Sequence, residues 1–149
     1  MIGTDVLIIG GGIAGASLGY ALARPQDAVL LEAEDQPGYH STGRSAALYM
    51  TTYGHPLIRA LTHASRAFLE RPPAGFAEVA LMQLRGVLWI ARADQQAAFA
   101  RYYADCSALD RSVARCTVEQ ALALCPALQS AYVNQAFVEP SAQDMDVSA

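Results

Sequence analysis

The sequence contains no lysine, and charged residues of both signs make up only 16% of its 149 residues. All of its basic residues other than histidine are arginine, and the net charge is −4. A net negative chain gives no electrostatic support for binding nucleic acid or an anionic membrane surface. Globular proteins usually carry about 25% charged residues. The low share therefore predicts that other polypeptide covers part of the surface, or it reflects a GC-rich genome that favours Ala and Arg over Lys.

Cysteines and long apolar runs are also scarce. Cys106, Cys116 and Cys125 are odd in number and show no CxxC spacing, which argues against a disulfide framework and against a zinc or other metal site. No apolar run reaches the roughly 18 residues of a membrane-spanning helix. The first residues include Asp5 but no basic residue, and glycines interrupt the apolar run, which contradicts a signal peptide. We therefore predict reduced thiols and a cytoplasmic protein without a transmembrane segment.

What is present begins with a strand–helix–strand pattern. Residues 5–9 form a continuous apolar run, typical of a parallel strand that is buried on both faces. Residues 13–23 show the apolar periodicity of a helix, and residues 28–31 form a second apolar strand. The pattern predicts an α/β fold that starts with a Rossmann-like βαβ unit.

Glycines stand at the junction between the first strand and the helix. Gly10, Gly12 and Gly15 form GxGxxG, the fingerprint of dinucleotide binding. Gly10 would make the tight turn, Gly12 would let the backbone approach a pyrophosphate, and Gly15 would let the helix lie close to the strand. The backbone N–H groups at the helix start, at Ile13 and Ala14, would then face the anion.

Two further features refine the choice of dinucleotide. Glu32 closes the second strand, where its carboxylate can accept hydrogen bonds from both ribose hydroxyls and would repel the 2′-phosphate of NADP. Gly19 extends the fingerprint to GxGxxGxxxG, an extension more typical of FAD proteins than of NAD proteins. A small residue there allows close packing of the helix. The alternative is a glycine-rich turn used only for packing.

A polar segment follows the turn at Pro37 and Gly38. We predict that Ser41, Thr42, Arg44 and Ser45 wrap the far side of the pyrophosphate. Ser45 is interpreted as the N-cap of a short helix that begins at Ala46 and aims its own N–H groups at the ligand. The alternative is a solvated loop with an ordinary helix cap.

The segments LIIGGGIAGASLGYALA and LLEAEDQPGYHSTGRSAA together resemble the FAD-dependent D-amino-acid oxidase/dehydrogenase superfamily. They are especially similar to bacterial D-arginine and other D-amino-acid dehydrogenases, and the likeness continues through EPSAQDMDVSA at the end. The resemblance implies FAD held by the three glycines, Ile13, Ala14, Glu32 and Ala33, with residues 41–47 passing the pyrophosphate and the flavin edge. It also implies hydride transfer from the amine-bearing carbon to flavin, after which electrons pass to a quinone, another acceptor or oxygen.

The resemblance also marks a substrate pocket. Tyr53 corresponds to a catalytic tyrosine on a mobile loop, here residues 49–55 with Tyr49 at its start; alternatively it is a half-buried surface tyrosine. Leu48 stands where D-arginine dehydrogenases have a histidine, and Val87 stands where they have a glutamate that pairs with a cationic side chain. A buried guanidinium beside Val87 would be unpaired. We therefore expect an apolar or small D-amino acid, or another secondary amine, as the substrate.

The later residues are predicted to start a second domain. We expect residues 1–77 to be the N-terminal part of the FAD-binding domain and residues 78–149 to begin an α+β substrate domain. Helices are predicted over residues 57–70, 94–108 and 117–124, with Thr117 and Gln120 as a capping box. Strands are predicted on both sides of Arg85-Gly86 and over residues 131–138.

Only two parallel strands can be found, and a two-stranded sheet is not independently stable. The fold is thus expected to be incomplete on its own, as the N-terminal portion of a truncated enzyme or as half of a split one. Three functions stay open at this point. They are an FAD-dependent amine oxidoreductase, a non-catalytic nucleotide-binding fragment or subunit completed by a second chain, and an NAD-dependent dehydrogenase.

Overall fold

The computed structural model describes residues 3–23 and 27–147. Its helices and strands are β1 Val6–Ile9, α1 Ile13–Leu22, β2 Ala28–Leu31, β3 Leu48–Tyr49, α2 Pro56–Glu70, β4 Met82–Leu84, β5 Val87–Ala91, α3 Gln96–Leu109, β6 Ala114–Cys116, α4 Val118–Leu124, β7 Gln135–Glu139 and β8 Gln143–Met145. The chain divides into two compact units, one up to Ala46 and one comprising Ala47–Val147. No helix within the described ranges is long and apolar enough to cross a membrane.

The first unit is the predicted βαβ unit. β1 and β2 pair in parallel, with Val6 opposite Ala28 and Ile9 opposite Leu31. α1 connects the two strands and packs on both of them. The predicted bounds of these three elements agree with the structure to within one residue, because the apolar runs of β1 and β2 end at Gly10 and at Glu32. The α/β fold class is confirmed.

The prediction that β1 is buried on both faces is wrong for the described chain. Ile8 is only 6% exposed, whereas Ile9 is 85% exposed and Leu7 is exposed as well. α1 covers the side of the sheet that carries Ile8, and the outward residues of β1 meet no second layer within the part of the chain that the structure describes. Strands of this apolar kind are normally covered on both sides.

The second unit contains two antiparallel three-stranded sheets, with strand orders β3-β8-β4 and β5-β7-β6. β7 is the central strand of the second sheet. On one face its Phe137 packs with Phe99 and Cys106 of α3. On the other face its Ala136 packs with Ala121 of α4. Because successive side chains of β7 point to opposite faces of the sheet, this strand contributes residues to a hydrophobic cluster on each face.

Local capping signals correctly place the starts of α2 and α4. Pro56 occupies the first turn of α2, and the His55 side chain accepts a hydrogen bond from the Leu57 N–H. The predicted capping box is confirmed, because Thr117 and Gln120 exchange side-chain to backbone bonds of 2.8 and 3.1 Å. Such caps satisfy N–H groups that have no partner inside the helix.

Other boundaries differ from the sequence prediction. A 3₁₀ turn, Ala93–Gln95, precedes α3, and another, Ser130–Tyr132, replaces the start of the predicted strand over residues 131–138. β8 was not predicted, since its residues are polar and its place depends on pairing with β3 and β4. The structure also groups residues 47–77 with the later residues. The predicted functional boundary between residues 77 and 78 is untested and stays a prediction.

The core of the second unit contains a buried hydroxyl group that lacks a good hydrogen-bond partner among the described residues. The Tyr102 hydroxyl is buried and has no hydrogen-bond partner of normal geometry among the described residues. Burial raises the pKa of Tyr102 and that of the neighbouring Cys106 thiol. A buried hydroxyl without a good partner destabilises the folded state by about 1–3 kcal/mol.

Tyr102→Phe is therefore expected to leave the free energy of unfolding unchanged or to raise it by about 1 kcal/mol. Urea denaturation followed by far-UV circular dichroism measures this change. A loss of more than about 1 kcal/mol would show that the hydroxyl makes a useful hydrogen bond.

Candidate functional site

The glycine corner, residues 10–15, lies between β1 and α1 as the sequence predicts. Gly10 has φ +99°, a conformation that side chains disfavour, and its N–H donates to Leu31 O at 2.7 Å. Gly12 is the N-cap residue of α1 and makes no side-chain cap bond, having no side chain. The first helical residues are Ile13 and Ala14. The start of α1 thus directs a partial positive charge and backbone N–H groups toward the position of an anion, but the Ile13 N–H already donates to the Thr42 hydroxyl.

Gly15 has the tightest surroundings of the corner. A Cβ atom on Gly15 would lie 1.9 Å from the carbonyl oxygen of Gly10. No side chain can occupy that space, so only glycine allows α1 to leave β1 at this angle. Gly19 is different, since a Cβ atom there would make ordinary contacts of 3.6 and 4.0 Å with Ile8 and Leu30.

The Glu32 carboxylate is directed at the glycine corner. Its Oε2 accepts from the Gly11 N–H at 2.6 Å, and its Oε1 accepts from the N–H groups of Ala33 and Glu34 at 2.7 and 3.1 Å. The backbone bonds from Glu34, Gly11 and Ala33 hold the pKa of Glu32 below its usual value. The group is therefore anionic at neutral pH, with an orientation fixed by three donors. None of these three donors to Glu32 was predicted from the sequence, where Ala33 was named only as a cofactor-binding residue.

Thr42 connects the polar segment to the same corner. Its hydroxyl oxygen accepts a hydrogen bond of 3.0 Å from the Ile13 N–H, and the Gly38 N–H donates to Gly11 O at 3.1 Å. The segment closes on itself through the Gly43 N–H, which donates to Gly38 O at 2.7 Å. Gly43 was not singled out from the sequence, and Gly38 was interpreted only as part of the turn with Pro37, although the GxxxxG spacing of the two glycines is visible there.

The remaining predicted residues of the segment lie at its surface. The Arg44 guanidinium lies over the Tyr39 ring, 4.9 Å from the centroid, which is a cation–π contact. Ser41, Ser45 and Ala46 are exposed. Whether these residues contact a cofactor stays a prediction.

The predicted short helix from Ala46, with Ser45 as its N-cap, is absent. Ala47 adopts φ +50°, which a right-handed helix does not allow. Its carbonyl oxygen accepts from the Met145 N–H at 2.7 Å, and β3 then pairs with β8. The strand pairing has thus overridden the local capping signal. Ala47 belongs to the second unit, apart from residues 41–46.

Three of the predicted substrate-pocket residues lie together in the second unit. Leu48, Tyr49 and Tyr53 line a cleft of about 350 Å³, which we call the apolar cleft. Its other lining residues are Met50, Ile58, Leu61, Thr62, Ser65, Leu69 and Met145. Tyr49 is buried in β3, and its hydroxyl donates to Thr62 O at 2.9 Å, so the irregular part of the predicted loop begins after this residue. Burial raises the pKa of Tyr49.

Val87 does not belong to the lining of the apolar cleft. It pairs in register with Glu139 across β5 and β7, so the two side chains share one face of the sheet. Glu139 accepts a hydrogen bond from the Thr52 hydroxyl at 2.7 Å. This contact joins positions 87 residues apart, and no local signal in the sequence indicates it. Within the described residues, no group of three or more His, Cys, Asp or Glu side chains could hold a metal ion.

The fold is shared with several solved oxidase and dehydrogenase structures. Glycine oxidase from Geobacillus kaustophilus superposes with a TM-score of 0.76 at 24% identity, over 95% of this chain and 40% of that one. L-alpha-glycerophosphate oxidase from Mycoplasma pneumoniae, whose structure has FAD bound, superposes with a TM-score of 0.78 at 18% identity, over 99% of this chain and 40% of that one. L-proline dehydrogenase from P. horikoshii superposes with a TM-score of 0.69 at 21% identity, over 97% of this chain and 38% of that one. The chain thus spans about 40% of the length of these structures.

Residues 5–149 match the sequence family described as FAD dependent oxidoreductase (DAO). The match includes the glycine corner, Glu32 and the whole second unit. The residues of the corner fit the cofactor, because Gly15 lets α1 start directly beside β1 and residues 10–12 carry no side chain that would cover the helix start. The chain therefore belongs to the FAD dependent oxidoreductase family, whose cofactor is FAD.

Proposed function

We propose that this chain is the N-terminal portion of an enzyme that oxidises a D-amino acid or a related amine, and that the chain is inactive by itself. The observation that carries the proposal is the glycine corner, where only glycine fits at Gly15 and where the Glu32 carboxylate is held by three backbone donors. Among the described residues, this arrangement suits a dinucleotide with a free 2′-hydroxyl.

The residues of the first unit have distinct proposed roles. The start of α1 binds the pyrophosphate through backbone N–H groups, and Glu32 accepts hydrogen bonds from the adenosine ribose. Thr42 fixes the polar segment against the first turn of α1. The flavin, when bound, accepts a hydride from the carbon that carries the amine.

The apolar cleft supports an uncharged substrate side chain. None of the described residues that line it carries a charge, and Leu48 and Met145 are among them. A guanidinium in such surroundings would lose its hydration without gaining a partner, at a cost of several kcal/mol. We propose that Leu48, Tyr49 and Tyr53 contact an apolar side chain, with Tyr53 also offering its hydroxyl. D-arginine is disfavoured as a substrate.

A second candidate function follows from the exposed apolar surface. Leu7, Ile9 and Leu31 of the β1–β2 sheet are exposed, as are Leu57 and Leu61 of α2. Exposed apolar patches of this kind mark interaction sites. Under this alternative, the chain is a non-catalytic nucleotide-binding subunit, and a second chain covers these faces.

Calorimetric titration of the purified protein with FAD, NADH and NADPH tests the cofactor assignment. FAD is expected to bind, and neither nicotinamide dinucleotide is expected to compete. Glu32→Gln should weaken FAD binding about tenfold, because a neutral amide accepts weaker hydrogen bonds. Glu34→Gln is the matched control, because that carboxylate pairs only with the exposed His40 side chain among the described contacts. Binding of NADH without FAD would overturn the proposal.

Bleaching of the bound flavin separates the two candidate functions. D-amino acids with apolar side chains should bleach its blue absorption band in the complete enzyme, and D-arginine should do so at least about tenfold more slowly. Bleaching by none of them, with FAD bound, would favour the non-catalytic subunit.

A further inference from the structure

A buried carboxyl group lies in the middle of the second unit. Glu139, the last residue of β7, is 0% exposed. Its Oε1 accepts from the Thr52 hydroxyl at 2.7 Å, and its Oε2 accepts from the Trp89 indole N–H at 3.4 Å. Acidic side chains are almost never fully buried unless they are paired. The bond from Thr52 is the shorter of the two and is therefore the main polar contact of this carboxyl group.

Thr52 belongs to the segment between β3 and α2. Its side chain is only 1% exposed, whereas the adjacent Tyr53 is 61% exposed and lines the apolar cleft. Gly54 then turns the chain at φ +89°, and His55 caps α2. The segment is thus fixed at both ends, by Thr52 on the sheet and by His55 on the helix, and Tyr53 is held between them.

We propose that Glu139 is a positioning residue that acts through Thr52 to hold Tyr53 at the edge of the apolar cleft. The proposal deepens the proposed function and rests on it for the identity of the ligand that Tyr53 meets. Glu139 itself does not contact the substrate, because both of its oxygens are buried and bonded to protein donors.

The position of Glu139 suits this role. β7 is the central strand of its sheet and pairs with β5 and β6, so the carboxyl group is mounted on a rigid element. Functional side chains are held best when a hydrogen bond from such an element fixes their loop. Val87, directly opposite Glu139 on β5, adds an apolar side chain that helps to keep water from the contact.

Chymotrypsin digestion tests the proposal, because the enzyme cleaves after exposed aromatic residues whose backbone can open locally. Thr52→Val keeps the shape of the side chain and removes its hydroxyl. We expect cleavage after Tyr53 to become about tenfold faster in this variant, which corresponds to about 1.4 kcal/mol. Mass spectrometry of the fragments gives the initial rates.

Two controls make the result specific. Cleavage after Tyr132, which is also exposed and lies in the same unit, should keep its rate. Thr52→Ser retains the hydroxyl and should restore the slow cleavage after Tyr53, which loss of packing alone would not do. Glu139→Gln keeps an acceptor for the Thr52 hydroxyl, so its rate of cleavage after Tyr53 should fall between the rates of wild type and of Thr52→Val.

An unchanged rate of cleavage after Tyr53 in Thr52→Val would overturn the proposal. A rise of the same size in the rate of cleavage after Tyr132 would also overturn it. Digestion requires no flavin, so this outcome is independent of the cofactor titration. If the protein binds NADH in place of FAD while Thr52→Val still loosens Tyr53, the proposed function fails and the positioning contact stands.

Discussion

Gly15→Ala is expected to weaken FAD binding by at least about a hundredfold. The added Cβ atom would lie 1.9 Å from the Gly10 carbonyl oxygen, which is backbone and cannot rotate away. α1 would have to move away from β1, and its first turn would no longer point at the pyrophosphate. Overpacking of this kind costs about 1–3 kcal/mol or more. Calorimetric titration with FAD measures the loss.

Gly19→Ala is the matched control, since it adds the same methyl group to the same helix. The Cβ atom would lie 3.6 Å from Ile8 and 4.0 Å from Leu30, at ordinary contact distance. Alanine also favours a helix over glycine by about 1 kcal/mol. FAD affinity should therefore stay within about twofold of wild type. Equal losses in both variants would contradict the role assigned to Gly15.

Phe137→Ala is expected to lower the free energy of unfolding of the second unit by about 3–5 kcal/mol. Phe137 is completely buried in the centre of β7, and its ring contacts those of Trp89, Phe99 and Tyr103 with centroid distances of 5.3 to 6.0 Å. Removing the ring leaves a cavity that the rigid sheet cannot fill, in addition to the lost transfer free energy. Urea denaturation monitored by far-UV circular dichroism gives the change.

Phe76→Ala provides the comparison within the same unit. The Phe76 ring is partly exposed and packs edge-on against Phe68 at 4.9 Å. Removing this ring should lower the free energy of unfolding by about 1 kcal/mol, because the ring buries little apolar surface. If Phe137→Ala and Phe76→Ala destabilise the protein equally, Phe137 is not the centre of the core.

Much of the first unit could be predicted because its signals are local. The apolar runs of β1 and β2 end at glycines or at Glu32, and the GxGxxG spacing imposes a steric requirement that the structure confirms at Gly15. The helix starts at Pro56 and Thr117 follow from caps that involve only neighbouring residues. Such features depend on a few consecutive dihedral angles and therefore remain visible in the sequence.

The features that were mispredicted depend on partners far along the chain. Ser45 has the residue type of an N-cap, but β3 pairs with a strand about 95 residues later, and Ala47 turns away from the helical path. The exposure of Ile9 depends on whether another layer of polypeptide packs on that face of the sheet, and an apolar run alone does not predict this. A short stretch of sequence does not show which distant strand it will pair with. Strand pairing can therefore override the local preference for a helix, as it does after Ser45.

The sequence by itself determined the βαβ unit, the glycine corner and the acid at the end of β2, because sterics and hydrogen bonding within a few residues dictate them. Only the tertiary structure placed Thr52 on Glu139 and Val87 beside that carboxyl group. These contacts arise from the register of antiparallel strands, in which a shift of one residue would turn every side chain to the other face.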